Sequence, residues 1–293
     1  MSKSTTDAYQ IVTNRILEAL DAGIVPWRKP WSLPAGMRPI SIRGHIYTGI
    51  NALVLGLSGY SDPRWLTFGK ATEIGGNVRK GEKSTPAVFL KVVNRKADPD
   101  DDNEKPGKYH LLKKYALFNA EQCEGLDLPT IHIVPIKDFD PIAQAEGIIQ
   151  GMPNRPAISH DGGDRAFYVP RLDSIHLPPR YAFENAGEYY STALHELGHS
   201  TGHPKRLDRK DLKELAAFGS ETYSKEELVA EFTSAFLCHE AGIEQTIENS
   251  AAYIRGWSRK LKADKRLVIQ AASQGQRAAD YILDRQAALQ VAA

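Results

Sequence analysis

Residues 189–203 read YYSTALHELGHSTGH, and the last nine positions of this stretch hold three histidines and one glutamate. Its centre, HELGH, fits the pattern H-E-x-x-H. On a helix, positions i and i+4 lie on one face, so His195 and His199 can grip a single metal ion from the same side. Glu196 falls beside that face, where it can take a proton from water activated at the metal. Helical projection puts Tyr190, Leu194 and Leu197 on the opposite side, while Glu188, Ser191, Thr192, Gly198 and Gly202 surround the histidines. The segment therefore has a packing face and a polar site face.

A catalytic zinc ordinarily takes three protein ligands and a water, so a third ligand is expected elsewhere. His203 has the right interval, but Gly202 and Pro204 flank it and end the helix. The extended pattern H-E-x-x-H-x-x-G-x-x-H fails too, because Lys205 stands at its last position. The segment SKEELVAEFTSAFLCHEAG, residues 224–242, is the better source. It reads as a helix with a Ser224 cap, an apolar face of Leu228, Phe232 and Phe236, and a neighbouring stripe carrying Glu227, Glu231 and Cys238 among small residues. Glu227 is the expected third ligand and Glu231, one turn on, the carboxylate that orients a ligating histidine, with Glu226 pointing elsewhere. The alternative role for Glu227 is that of capping-box partner to Ser224.

Working toward the N-terminus, the order of elements is an early helix near residues 7–21, a Pro- and Trp-rich loop, and two short helices at GINALVLGL and RWLTFGKATEIGG. Two strands follow at TPAVFLKVVNR and KYHLLKKYALFN, joined by the acidic loop KADPDDDNEKPGK. A second unit opens near residue 136 with a helix at 140–151 and short strands at RPAIS, AFYVP and DSIHLPP, the last placed to pair with an extended substrate. The expected fold class is α+β, divided into residues 1–135 and 136–293. The second part is mostly helical, with a small sheet.

Charge divides along the same line. The chain carries a formal net charge of +1. Residues 1–97 nevertheless hold fourteen Lys/Arg against six Asp/Glu, and the remainder is acidic by seven charges. The basic part interleaves three of the four tryptophans with cations, in VPWRKPW and RWLTFGK. Indoles stack on bases of any identity and cations hold the phosphate backbone, so Trp27, Arg28, Lys29, Trp31, Trp65 and Lys70 are candidate contacts to single-stranded nucleic acid. Tryptophan is also a favoured core residue. Arg79, Lys80 and Lys83 around Gly81 form a basic turn within GNVRKGEKS. This segment approaches a phosphate-binding loop, but Glu82 stands where that loop needs lysine, which excludes nucleotide hydrolysis. Two cysteines and a polar start with no long apolar run fit a cytoplasmic protein outside the membrane.

The chain resembles the ArdC-type antirestriction proteins of conjugative plasmids. The front half carries the likeness in VPWRKPW, YTGINALVL, WLTFGKATEIGGNVRKGEKSTPAVF and YALFNAEQCEGL. The back half carries it in DSIHLPP, YYSTALHELGHSTGHPKRLDR, EELVAEFTSAFLCHEAGI and YIRGWSRKLKADKRLVIQAASQGQRAADYIL. The resemblance implies a single-stranded-DNA-binding region followed by a zincin-like metallopeptidase domain, and protection of incoming plasmid DNA from restriction. It implies zinc, for which manganese or cobalt can substitute, held by His195, His199 and Glu227 with Glu196 as base. A competing reading is an active endopeptidase with a host protein as substrate, localised by DNA.

Overall fold

The computed structural model describes residues 7–28, 33–95, 107–129, 140–209, 221–243 and 251–285. Helix α1 (Ala8–Asp21) starts where the Asp7 carboxylate accepts the Tyr9 N–H, and buries Val12, Ile16, Leu17 and Leu20. It stops at Gly23, whose φ of +77° is open to glycine without strain. After β1 (Ile40–Ser41) and α2 (Gly49–Gly56) the chain forms β2 (Arg64–Leu66), α3 (Phe68–Glu73) and β3 (Asn77–Val78). RWL is thus a strand, where the sequence suggested helix. Trp65 points into one apolar cluster with Tyr47, Leu55 and Leu117, and Leu66 into another with Ala71 and Val78. Such two-sided burial belongs to a central strand. Thr67, whose hydroxyl accepts the Lys70 N–H, then starts α3.

Strands β4 (Thr85–Arg95) and β5 (Gly107–Asn119) form a long antiparallel hairpin with Ala87 opposite Tyr115 and Phe89 opposite Lys113. The first sheet runs β1-β2-β5-β4, and β3 pairs separately with β6 (Cys123–Glu124). Next come α4 (Pro141–Gly151) and a three-stranded sheet of β7 (Ala157–Ser159), β8 (Phe167–Val169) and β9 (Ser174–His176). Its order is β7-β9-β8. The DSIHLPP strand is central, bonded on both sides, so edge pairing of a substrate cannot occur there; β7 and β8 are the edges.

Four helices complete the described fold: α5 (Ala186–Ser200), α6 (Glu221–Ala241), α7 (Ala251–Ala263) and α8 (Leu267–Ile282). α6 lies between α5 and α8, and glycines allow the approach on both sides. A Cβ at Gly198 would meet Thr233 Cβ at 3.0 Å and Ala230 Cα at 3.2 Å; one at Gly275 would meet Phe232 Cβ at 2.6 Å. The main core joins α1 and α2 to α4–α8 in one apolar cluster, and Trp27 from the basic half packs edge-on against Phe232 and Trp257 within it. The architecture is α+β, with both sequence halves contributing to one core. The expected division at 135/136 falls outside the described residues.

Candidate metal centre

α5 begins where Asn185 accepts the Glu188 N–H, and it buries Tyr189, Tyr190, Ala193, Leu194 and Leu197. That leaves His195 and His199 on the face toward α6, with their Nε2 atoms 3.1 Å apart. Glu227 of α6 completes a triangle: Oε2 lies 3.7 Å from His195 Nε2 and Oε1 lies 3.4 Å from His199 Nε2. All three donors fall within 4.8 Å of one another. A tetrahedral ion bound at about 2.0–2.1 Å holds its ligands about 3.3–3.4 Å apart. The donor set therefore fits a divalent metal of the zinc type in spacing as well as chemistry. α6 starts at Glu221, which puts Ser224 inside the helix and removes the capping-box role considered for Glu227.

Glu196 is buried beside the triangle. In the metal-free protein the His195 pKa is pushed up to about 9. Burial of the ring opposes the charge, but the hydrogen bond to Glu227 and the carboxylates of Glu231, Glu196 and Glu227 overcome it. The three donors are partly buried, and the carboxylates around them make the site electronegative.

Two carboxylates exchange the places expected of them. Glu226 does not point elsewhere: it is 5% exposed, and its Oε1 lies 3.6 Å from His199 Nδ1. Arg209 grips the same carboxylate through Nε (3.0 Å to Oε2) and Nη2, and also donates to Thr201 Oγ1 and the Gly198 carbonyl at the end of α5. Burial works against ionisation of Glu226, but His199 and Arg209 outweigh it and hold its pKa below the usual value. Glu231, by contrast, is bonded to no histidine among the described residues. It accepts from Arg28 Nη2 at 2.8 Å and from the Tyr253 hydroxyl at 2.7 Å. Burying a carboxylate is tolerable only with a partner, and the Arg28 guanidinium, stacked 4.0 Å above the Tyr253 ring, supplies the charge. The carboxylate that faces His199 is thus Glu226. Arg209 lies too far along the chain for any local pattern to have announced it. His203 sits away from the triangle, 3.9 Å from Asp173.

The candidate DNA contacts divide four ways. Trp27 and Trp65 are each 1% exposed and cannot stack on a base. Arg28 is committed to Glu231, Lys70 pairs with Glu73 at 2.5 Å, and Arg79 pairs with Glu82 at 2.8 Å. Lys80 and Lys83 are exposed and form no ion pair among the described residues. Lys29 and Trp31 lie outside the described residues.

Comparison with known proteins gives a consistent result. Residues 6–118 match the family described as the N-terminal domain of anti-restriction factor ArdC, and residues 143–274 match the family described as zincin-like metallopeptidase. The crystal structure of the antirestriction ArdC protein from the R388 plasmid, in its metal-free form, superposes with a TM-score of 0.73 at 37% identity, covering 95% of this chain and 97% of that one. Its Mn(II)-bound form gives 0.71. Over 292 residues the chain is 39% identical to a DNA primase TraC of Escherichia coli, covering 94% of this chain but only 27% of the primase. It is 32% identical to protein y4eC of Sinorhizobium fredii, covering 96% of this chain and 92% of that one.

Proposed function

The chain belongs to the ArdC-type antirestriction family, and on that premise we propose that it binds single-stranded DNA through residues 1–135 and shields it from restriction during conjugation. The observation that carries this reading is the match along nearly the whole chain, in both halves and in fold, to a protein named for antirestriction. DNA is the partner, and the cytoplasm of the recipient is where it acts. No described helix is long and apolar enough to cross a membrane. A plasmid-transfer assay into restricting and non-restricting recipients tests the reading. Expression of the protein should raise transfer into the restricting recipient alone; equal transfer with and without it would contradict protection.

His195, His199 and Glu227 are the residues that would hold a divalent metal, zinc by their chemistry, with manganese or cobalt able to replace it. That a relative has an Mn(II)-bound structure supports a divalent ion. A second reading, an endopeptidase acting on a host protein, is favoured by Glu196 lying beside the donor triangle. The ion, when bound, would supply Lewis acidity to water and to a peptide carbonyl. Glu196 would accept the proton from water and return it to the departing amine, while Glu226 and Arg209 keep the His199 ring fixed. Glu196→Gln separates the readings, since it removes the base and no ligand. Protection that survives the change assigns it to DNA coverage; protection lost while DNA binding persists assigns it to peptide hydrolysis.

A further inference from the structure

If buried tryptophans cannot stack on bases, a single strand needs other rings, and the described surface holds a group of them on one face of the β4–β5 hairpin. Tyr115 on β5 meets Phe89 on β4 edge to face, with centroids 5.2 Å apart and planes at 87°. The His45 ring lies 6.0 Å from Phe89 and 5.4 Å from Tyr47. Beneath them, buried Tyr47, Leu55, Trp65 and Leu117 form the floor, so the upper rings are held in place. Tyr115 is nonetheless 42% exposed, His45 is exposed, and neighbouring Ile46 is 50% exposed.

Cations border this patch at both ends. Lys113 sits opposite Phe89 and two residues from Tyr115, hence on the same face, and is exposed. At the other end, the turn around Gly81 (φ +91°) leads directly into β4 and carries Lys80 and Lys83. From Lys83 to Phe89 the chain advances six residues, or about 20 Å of extended strand. Tyr60 spans the interval: it packs against the Trp65 ring at 5.7 Å, and its hydroxyl feels the charges of Glu82 and Arg79 in the turn. The acids close by are already satisfied. Glu82 binds Arg79 and Gln122, and Glu121 accepts from the Ser61 hydroxyl and the Ser61 and Asp62 N–H groups. Lys80, Lys83 and Lys113, in contrast, have no ion pair among the described residues.

The geometry points to a track for single-stranded nucleic acid that runs from Lys80 and Lys83, past Tyr60, to Tyr115, His45 and Lys113, with the backbone on the lysines and bases against the rings. This rests on the DNA-binding reading above and gives it an address. Exposed rings with flanking cations suit an unpaired strand, whose bases are free, and not a duplex, whose bases face one another. With Trp27, Trp65, Arg28 and Lys70 committed to core and ion pairs, this face combines exposed rings with cations that form no ion pair among the described residues, whereas exposed Phe68 lies beside Lys70, which is paired with Glu73.

Fluorescence anisotropy of the full chain with a labelled oligothymidylate, across a salt series, tests it. Tyr115→Ala should weaken binding about 5- to 150-fold, the loss expected for one base–aromatic stack, while Tyr115→Phe restores most of it and thermal unfolding stays unchanged. Lys80→Ala with Lys83→Ala should flatten the log–log salt slope by about 1.4, and Lys113→Ala by about 0.7. Wild-type protein that binds the oligonucleotide while all these variants bind equally well would overturn the track and leave the DNA-binding reading standing. Wild-type protein that fails to bind would overturn both. Equal affinity for a duplex of the same length would contradict stacking on Tyr115.

Discussion

The helices α5 and α6 meet through buried charge and close backbone contact, whereas the β4–β5 face beside Tyr115 is open to water. In the first region buried carboxylates have fixed partners: Glu226 with Arg209 and His199, Glu231 with Arg28 and Tyr253. In the second, lysines without an ion pair among the described residues stand around half-exposed rings. The difference separates two kinds of consequence. A change at the helices disturbs stability and metal geometry together, because a buried charge cannot lose its partner without cost. A change on the open face alters what is bound and leaves the fold alone.

The largest effect should come from residues of the basic half that nevertheless belong to the first region. Trp27→Ala should cost about 3–5 kcal/mol in chemical denaturation, the usual range for a large core ring. Arg28→Ala should cost a similar amount, about 3–5 kcal/mol, by leaving Glu231 buried without a countercharge. If either variant kept wild-type stability and lost only DNA binding, the division between locked and open regions would be broken.

A smaller change sharpens the contrast inside the locked region. Glu226→Gln retains the size of the side chain but weakens its hold on Arg209 and on His199. Calorimetric titration should show metal affinity about 10- to 100-fold lower. Unaltered affinity would mean that packing alone, and not the Glu226 carboxylate, fixes His199.

The most gradual effect is in pH. The His195 pKa is raised from 6.5 to about 9 in the metal-free protein. Its contribution to stability is therefore complete below about pH 6.5 and disappears as pH climbs through about 9. A metal must displace that proton, so metal affinity should move the other way, gaining about tenfold per unit between pH 7 and 9. Thermal unfolding of metal-free protein and metal titration over one pH series should diverge in this manner; parallel curves would contradict the raised pKa.

How much of this was legible follows from the range over which each feature is encoded. His195 and His199 share a helix, so an interval of four residues suffices to place both on one face. Glu227 was within reach because the stripe on α6 with small neighbours marked the side that accepts another helix. The order of Glu226 and Glu231 was not, since it depends on Arg209 and Arg28, which arrive from loops seventeen residues before Glu226 and about two hundred before Glu231. Both long strands were visible from their β-branched and aromatic content, while β2 was not, because three residues carry too little periodicity to show burial on both faces. For the tryptophans, composition alone leaves core and binding open. Their neighbours in space decide it, and those neighbours, Phe232 and Trp257 for Trp27, come from the opposite end of the chain.

The central claim is that three side chains from two helices hold one divalent ion. Its most direct test is an anomalous difference map from a crystal of the protein soaked in zinc. The account predicts a single strong peak about 2.0–2.2 Å from His195 Nε2, His199 Nε2 and a carboxylate oxygen of Glu227. No peak at this triangle, or a peak ligated by Glu231 or His203 in place of Glu227, would contradict it.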